Sequence, residues 1–258
     1  KNYLVFAFQA NLYCIILCKL LGIKVITRSN SSPEGWSKNP IKFYLYKKIS
    51  SFADKIIVNS IEFKKEFKKK FSINTKCILN PLDKKEILKK SKIKVKKIFS
   101  KNKLKLITVG RLVDQKNHIS ILKALNKIKG KVDFELIIIG KGNLKNVLVE
   151  YINRNNLEKY IKILNFKKNP YPYIKQAEIF LLSSKFEGLP NVLLESQVLK
   201  KYIISCDCPT GPKEILLDGK AGDLFKINDH NNLANLILGY KKNKFKNIQK
   251  IKLGYNYL

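Results

Sequence analysis

The second half of the chain opens with a strand-like run closed by a glycine, Leu104-Lys105-Leu106-Ile107-Thr108-Val109-Gly110. A helix is predicted from Asn117 onward, because apolar residues then recur at helical spacing on one face. These residues are Ile119, Leu122, Leu125 and Ile128. The next run, Phe134–Ile139, is almost entirely apolar, which is typical of a parallel strand buried on both faces. Residues 104–139 therefore predict the strand–helix–strand unit of an open, doubly wound parallel sheet.

The same alternation extends in both directions. Downstream, the sequence predicts helix Leu144–Asn153, strand Ile161–Leu164, helix Tyr173–Ala177, strand Ile179–Leu182, a helix entered through Pro190, and strand Tyr202–Ser205. Upstream, it predicts strand Leu4–Phe8, helix Asn11–Leu21, strand Ile23–Thr27, a polar loop Arg28–Trp36, helix Ile41–Ala53, strand Lys55–Val58, helix Ile61–Phe71 and strand Cys77–Leu79. The lysine-dense residues 84–103 read as a linker or an exposed helix. We therefore expect two α/β domains, residues 1–100 and 101–258.

The first of these domains is expected to be incomplete. The 258 residues contain no Met, and the chain begins directly in the apolar run Tyr3–Phe8. We therefore interpret the sequence as a fragment that lacks its true start.

The chain is strongly basic, with 52 Lys and Arg against 19 Asp and Glu and a formal net charge of +33. Such an excess predicts attraction to anions such as phosphates, acidic lipids or nucleic acid. A solvated, lysine-coated surface explains it equally well. A basic nucleic-acid-binding protein is the main alternative function. We expect no nucleic-acid partner, because the lysines are not gathered on one element and the sequence carries no nucleic-acid-binding signature.

Cysteine usage and hydropathy favour a reduced, cytoplasmic protein. The five cysteines are an odd number, which argues against a disulfide framework in a chain of this length. Cys206 and Cys208 have only His118 and His230 to complete a metal site, so no metal is expected. The apolar segment 4–26 is interrupted by polar residues and is too broken for a membrane span.

Two glutamates flank a predicted helix start in Phe186-Glu187-Gly188-Leu189-Pro190-Asn191-Val192-Leu193-Leu194-Glu195. Pro190 suits the first turn of a helix, whose free amides can hold an anion. Glu195 lies beside apolar residues and needs partners, which the two vicinal hydroxyls of a ribose would supply. Glu187 stays in the preceding loop and could reach another part of the same ligand. Both glutamates could instead be solvated surface groups.

A second candidate lies where the first strand of this half meets its helix. In Gly110-Arg111-Leu112-Val113-Asp114-Gln115-Lys116, glycine permits the tight exit and two cations lie at the mouth of the sheet. Arginine offers phosphate oxygens a planar fork of donors, and lysine offers a mobile point charge. The loop is therefore a candidate phosphate clamp, although basic residues are common in every loop of this chain.

Taken with these motifs, the chain resembles a retaining, nucleotide-sugar-dependent glycosyltransferase of family 4, with two Rossmann-like domains in the GT-B architecture. Supporting motifs are Gly140-Lys141-Gly142, Asn169-Pro170-Tyr171-Pro172-Tyr173 and Gly211-Pro212-Lys213-Glu214. The resemblance implies that Arg111 and Lys116 hold the donor diphosphate, that Glu195 holds the ribose and that Glu187 faces the donor sugar. It further implies that the backbone near Phe166 meets the base. The implied donor-binding set is Gly110, Arg111, Lys116, Phe166, Glu187, Gly188, Leu189, Pro190, Asn191 and Glu195.

The resemblance also implies a mechanism without a cofactor or metal. The substrate would be a nucleotide-sugar, with a UDP-sugar expected, and cationic side chains would replace a divalent ion. Glu187, Arg111 and Lys116 would be the catalytic residues, with Glu187 positioning the sugar and stabilising charge.

The acceptor would be a glycan or a lipid-linked saccharide. Arg28 and Asn30, after the second strand, are candidates for acceptor contact, although this loop could simply cap the strand. Helices Lys38–Ala53 and Ile61–Phe71 combine aromatic and lysine residues, a composition compatible with a peripheral position on the anionic inner face of the cytoplasmic membrane. Ordinary packing against a sheet explains them equally well.

Overall fold

The computed structural model describes residues 3–30 and 39–258 and divides the chain into two compact units. The first unit comprises residues up to Pro81 together with Phe186–Leu189 and Pro209–Glu214. The second comprises Leu82–Lys185, Pro190–Cys208 and Ile215–Leu258. Residues 31–38 lie outside the described residues; they include the end of the expected polar loop at Trp36 and the expected start of a helix at Lys38.

The first unit is a four-stranded parallel sheet with helices. Its elements are β1 (Leu4–Ala7), α1 (Asn11–Leu20), β2 (Lys24–Ser29), α2 (Pro40–Ser50), β3 (Lys55–Val58), α3 (Ile61–Phe71) and β4 (Lys76–Cys77). Its strands follow chain order, β1-β2-β3-β4, and every pair is parallel. Three phenylalanines spaced four residues apart bury one face of α3 against Ile56 and Val58. These are Phe63, Phe67 and Phe71.

The second unit carries the larger sheet and core. Its elements are α4 (Lys84–Ser91), β5 (Leu104–Val109), α5 (His118–Ile128), β6 (Phe134–Ile139), α6 (Lys145–Arg154), β7 (Ile161–Leu164), α7 (Tyr171–Gln176), β8 (Ile179–Leu182), α8 (Asn191–Val198), β9 (Tyr202–Cys206), β10 (Asp223–Phe225), α10 (His230–Gly239) and α11 (Lys244–Tyr257). A short helix, α9 (Pro212–Ile215), begins in the first unit and ends in the second.

Strand order in the second unit creates a crevice for a ligand. The order is β10-β9-β8-β5-β6-β7 with all neighbours parallel, so the direction of winding reverses between β5 and β8. In open sheets of this kind, ligands bind beyond the carboxyl ends of the strands at this switch point. The expected α/β class with a doubly wound parallel sheet is confirmed.

The boundary between the units lies earlier than the expected residue 101. The first eight residues of the expected linker, Lys84–Ser91, form helix α4, which buries Ile87 and packs against α7 and α8. These contacts place α4 in the second unit, which begins at Leu82. The helical alternative is therefore confirmed for Lys84–Ser91, but the helix is not fully exposed, because one face buries Ile87.

The start of α8 differs slightly from the expectation. Pro190 has an extended ψ of 94° and is the N-cap of α8, whose first residue is Asn191. Pro190 therefore lies just outside the helix and not in its first turn. Its carbonyl oxygen accepts a hydrogen bond from the amide of Leu193 at 2.9 Å.

In the described residues, no helix has the combination of length and apolar character needed to cross a bilayer. Within the same residues, no group of three or more His, Cys, Asp or Glu side chains is arranged to hold a metal ion.

Candidate active site

Two glycines fix the Gly110–Leu112 loop to the end of the sheet. A Cβ on Gly140 would overlap with the carbonyl oxygen of Gly110, and a Cβ on Gly142 would overlap with that of Leu112. The close approach lets Gly110 donate to the oxygen of Ile139 at 3.0 Å and Leu112 donate to the oxygen of Lys141 at 2.9 Å. The loop that carries Arg111 is therefore held by main-chain hydrogen bonds across the ends of β5 and β6.

Lys116 lies at the end of a short 3₁₀ turn, Asp114–Lys116, just before α5. Asn117 follows in the left-handed region, with φ 49°, and is buried. The hydroxyl of Ser183, after β8, lies 3.0 Å from the carbonyl oxygen of Lys116 and 2.9 Å from that of Asn117. A neighbouring strand thus fixes the backbone from which the Lys116 side chain extends.

His118, the first residue of α5, supports the same loop. It is 4% exposed, and its Nε2 lies 3.2 Å from the carbonyl oxygen of Arg111, so the Nε2 proton is donated to that oxygen. Burial lowers the pKa of His118 to about 4, and the positive charge of Lys116 acts in the same direction. His118 is therefore a neutral donor at neutral pH, with a role that the sequence did not reveal.

These elements surround a cavity of about 600 Å³ in the second unit, a volume in the usual range for small-molecule sites. It brings together five of the expected donor-binding residues: Gly110, Arg111, Lys116, Phe166 and Glu195. The remaining wall consists of Val109, Ile139, Gly140, Lys141, Lys167, Lys168, Pro170 and Tyr171. Five cations and one carboxylate line this cavity, so its field attracts an anion.

Glu195 lies on α8 and is partly buried in the cavity wall. Burial raises the pKa of Glu195, and a hydrogen bond from the hydroxyl of Tyr171 lowers it in part. Burial and the negative charge of Glu195 raise the pKa of Tyr171 to about 12, so Tyr171 stays protonated and can donate. In the sequence, Tyr171 stands out only as part of the Asn169–Tyr173 motif, and that motif does not predict its contact with Glu195.

Phe166 presents an open aromatic face at the cavity edge. Its side chain is 59% exposed, and the ammonium of Lys141 lies 5.6 Å from the ring centroid. A cation over one part of the ring leaves its remaining surface available for stacking against a planar group.

Glu187 belongs by its contacts to the first unit, together with Gly188 and Leu189, and does not line this cavity. It is 6% exposed, which excludes a solvated surface group. Its amide donates to the oxygen of Pro209 at 3.3 Å, and its carbonyl oxygen accepts from the hydroxyl of Thr210 at 2.6 Å. Pro190 and Asn191, at the start of α8, belong to the second unit.

The two candidate acceptor residues share a separate cavity in the first unit. Arg28 and Asn30 line about 360 Å³ at the carboxyl ends of β1 and β2, together with Gln9 and Asn11. Arg28 also donates to Asn30 Oδ1 at 3.2 Å, to the oxygen of Ile78 at 3.3 Å and to Asn80 Oδ1 at 2.8 Å. Arg28 therefore braces the neighbouring loops as well as lining the cavity.

Comparison with known proteins identifies the family. The model of the family described as "Glycosyl transferases group 1" matches residues 89–255, which include the whole cationic cavity. The chain belongs to this glycosyltransferase family. The match confirms the family expected from the motifs around Arg111 and Glu195.

Curated relatives of this chain include two that match most of its length. One is an uncharacterized glycosyltransferase of Methanocaldococcus jannaschii, 36% identical over 197 residues, or 69% of this chain and 48% of the relative. Another is the N-acetylgalactosamine-N,N'-diacetylbacillosaminyl-diphospho-undecaprenol 4-alpha-N-acetylgalactosaminyltransferase of Campylobacter jejuni, 30% identical over 231 residues, or 86% of this chain and 62% of the relative. The chain thus spans between about half and three fifths of these two relatives.

Solved glycosyltransferase structures share the fold. Anabaena HepE in complex with UDP-glucose matches with a TM-score of 0.82 and 19% identity, covering 98% of this chain and 73% of HepE. Sucrose-phosphate synthase from Thermosynechococcus elongatus matches with a TM-score of 0.79 and 14% identity, covering 98% of this chain and 68% of the synthase. This likeness confirms the expected GT-B fold.

Proposed function

We propose that this protein transfers a hexosyl or N-acetylhexosaminyl group from a UDP-sugar to a glycan or lipid-linked acceptor, with retention of anomeric configuration. The observation that carries the proposal is the convergence of five cations and one partly buried carboxylate in a single cavity at the switch point of the sheet. Cations gathered in a cavity suit a small anionic ligand better than an extended nucleic acid, which needs a basic surface.

Arg111 and Lys116 would hold the diphosphate of the donor. Breaking the bond between sugar and phosphate leaves extra negative charge on the nucleotide diphosphate, and fixed cations stabilise that charge where it develops. Lys141, Lys167 and Lys168 line the same cavity and strengthen its positive field. In this proposal the cations take the place of a divalent ion, and neither a metal nor a cofactor is needed.

Glu195 and Phe166 would recognise the nucleoside. The Glu195 carboxylate can accept hydrogen bonds from two vicinal ribose hydroxyls, and the exposed ring of Phe166 offers a surface beside the base. Gly110 in the loop before α5, and Gly140 and Gly142 in the loop before α6, would let the backbone approach the nucleotide closely enough for main-chain hydrogen bonds. The UDP complexes of solved structures with this fold support a uridine nucleotide as the donor.

Glu187 would face the donor sugar and stabilise positive charge that develops on it. We assign it to positioning and electrostatic stabilisation, with attack on the same face of the sugar as the leaving group. Its burial and its two main-chain hydrogen bonds support a fixed position, as such a role requires.

The acceptor side is proposed from the first unit and from the relatives. The name of the Campylobacter relative describes a diphospho-undecaprenol substrate, which supports a lipid-linked saccharide as acceptor. The cavity beside Arg28 and Asn30 offers polar groups that a saccharide could meet. We propose a cytoplasmic location at the membrane; exposed apolar residues of α1 and α2, next to lysines of α2, support contact with an anionic membrane surface.

A panel of UDP- and GDP-sugars tests this function. Thermal unfolding should shift upward with one or more UDP-sugars, because a ligand that binds only the folded state stabilises it. Transfer from the stabilising donor to a lipid-linked or free glycan should then be measured, together with the anomeric configuration of the product. Protection by no nucleotide-sugar, combined with salt-sensitive retention on DNA, would replace the proposal with the nucleic-acid alternative.

Variants separate the proposed roles. Arg111→Ala should weaken UDP binding by about 10- to 100-fold, as expected for a lost hydrogen bond to a charged group. Lys252→Ala, an exposed lysine on α11, is the matched control for net charge and should bind UDP as the wild type does. Glu187→Ala should lower turnover while leaving UDP affinity unchanged, because Glu187 belongs to the first unit.

A further inference from the structure

Two segments from the second half of the chain, Phe186–Leu189 and Pro209–Glu214, belong by their contacts to the first unit. Two carboxylates join the second of these segments to α3. Glu214 accepts hydrogen bonds from the amides of Ile61 at 3.1 Å and Glu62 at 2.9 Å. In return, Glu62 accepts one from the amide of Gly211 at 3.0 Å.

The start of α3 makes this arrangement favourable. The first amides of a helix have no partner within the helix, and a negative charge is stabilised there by the helix dipole. The Ser60 side chain accepts from the amide of Phe63 at 3.0 Å, and Glu214 provides acceptors for the two preceding amides. Gly211 has φ 92°, a conformation that suits glycine, and this turn directs its amide toward Glu62.

The same segment holds Glu187. The two residues before Gly211 make the contacts. The carbonyl oxygen of Pro209 accepts from the Glu187 amide at 3.3 Å, and the Thr210 hydroxyl donates to the Glu187 carbonyl oxygen at 2.6 Å. Thr210 is 5% exposed, so this contact is shielded from water. Hydrogen bonds and the main chain of residues 209–214 therefore connect the start of α3 to Glu187.

We infer that Glu62 and Glu214 form a reciprocal carboxylate clamp that fixes the Glu187 segment to the first unit and thereby positions Glu187 for sugar transfer. The catalytic part of this inference rests on the proposed function. Both glutamates are positioning residues, because these three hydrogen bonds are with main-chain amides of α3 and of the 211 turn.

Hydrogen exchange tests the clamp without requiring any activity. In Glu214→Gln one carboxylate oxygen becomes an amide group that cannot accept from a backbone amide, and in Glu62→Ala the acceptor for Gly211 is lost. Both changes should speed amide exchange in peptides covering 186–189 and 209–214 by about 10-fold or more, the factor expected for one charged hydrogen bond. Glu62→Gln keeps an acceptor oxygen and should restore slow exchange. Glu66→Ala, on the same helix, removes a carboxylate that pairs with Lys70 and is the matched control.

Kinetics then test whether the clamp acts through Glu187. Glu214→Gln and Glu62→Ala should lower kcat on the order of 10- to 100-fold, as expected for a misplaced catalytic group. The KM for the donor should not change, because the cationic cavity belongs to the second unit. In a Glu187→Gln background neither change should lower kcat further, since residues that act as a unit are not additive.

Each result has one consequence. Unchanged exchange in both Glu214→Gln and Glu62→Ala overturns the clamp. Faster exchange together with a full additional loss of kcat in the Glu187→Gln background overturns its action through Glu187. A wild-type protein that transfers no sugar from any nucleotide-sugar overturns the proposed function, while the exchange experiment still decides the clamp. Two variants on different residues keep the test valid where one of them fails to fold.

Discussion

The hydroxyl of Ser183 lies 3.0 Å from the carbonyl oxygen of Lys116, although the two residues are 67 positions apart in the chain. The same hydroxyl lies 2.9 Å from the carbonyl oxygen of Asn117. The end of β8 therefore supports the turn that carries a cation of the donor cavity. A contact just beyond the end of β8 thus fixes the backbone from which the Lys116 side chain extends.

Replacement of Ser183 tests this support. Ser183→Ala leaves the carbonyl oxygens of Lys116 and Asn117 without this donor and should lower the free energy of unfolding by about 1–3 kcal/mol. It should also weaken UDP binding, because Lys116 loses its fixed backbone. Urea unfolding and calorimetric titration with UDP measure the two effects.

Tyr202→Phe is the control for a loss of stability alone. Tyr202 begins β9, at the end of the sheet opposite the cavity, and its hydroxyl donates to Asp223 at 2.5 Å. Its replacement should destabilise the protein by about 1–2 kcal/mol without changing UDP affinity. If Ser183→Ala binds UDP as tightly as Tyr202→Phe does, the proposed support of Lys116 is wrong.

Gly140→Ala should disrupt the loop that carries Arg111. The new methyl group would overlap with the carbonyl oxygen of Gly110, so one of the two strand ends must shift. We expect a loss of about 1–3 kcal/mol in the free energy of unfolding, as for overpacked sites, and weaker UDP binding. Gly239→Ala is the matched control, because a Cβ there would meet only Asn243 at an ordinary 3.5 Å. Equal UDP affinity in the two variants would contradict the proposed geometry.

UDP affinity should depend on the protonation of Glu195. The deprotonated carboxylate accepts from both ribose hydroxyls, and protonation removes part of this capacity. Because burial raises the pKa of Glu195 and the Tyr171 hydroxyl lowers it in part, Tyr171→Phe should raise that pKa further. The fall in UDP affinity on acidification should then begin at a higher pH in Tyr171→Phe than in the wild type. Titration of UDP over a pH series measures this shift in pH. Protonation of the UDP phosphates affects both proteins equally, so it does not contribute to the difference between them.

Glu195→Gln should show opposite effects on stability and binding. The raised pKa means that the folded state favours protonated Glu195, so stability is lost as the pH rises through that pKa. An uncharged glutamine avoids this loss, and Glu195→Gln should be more stable than the wild type at pH 7. The gain should disappear below about pH 4.3, the ordinary glutamate pKa, where wild-type Glu195 is protonated in both states. UDP affinity should fall at pH 7, and a variant that binds UDP as well as the wild type would exclude Glu195 from the site.

The sequence predicted the central strands of the fold well. The bounds of β5, β6, β7 and β8 agree with the structure, because buried parallel strands are short apolar runs between clear breakers. It missed the final elements, β10, α10 and α11. Helix α11 has no continuous apolar stripe, and it packs instead through small or polar residues such as Gly254, where a Cβ would lie 2.7 Å from the side chain of Gln197.

The sequence also predicted that Arg111, Lys116 and Glu195 would lie together, since parallel strands end at a common edge. It could not predict the residues that support them. Ser183, Tyr171 and Glu62 act through contacts between distant segments, and no local pattern marks such pairs. The assignment of Glu187 to the first unit was equally hidden, because it depends on hydrogen bonds with the 209–211 segment.

The most direct test of the central claim is a crystal structure of this protein with UDP. We expect the diphosphate against Arg111 and Lys116, the ribose hydroxyls against Glu195 and the base beside Phe166. UDP bound at any other place, or no UDP bound at a concentration that saturates the protein in solution, would contradict the claim that the cationic cavity is the donor site.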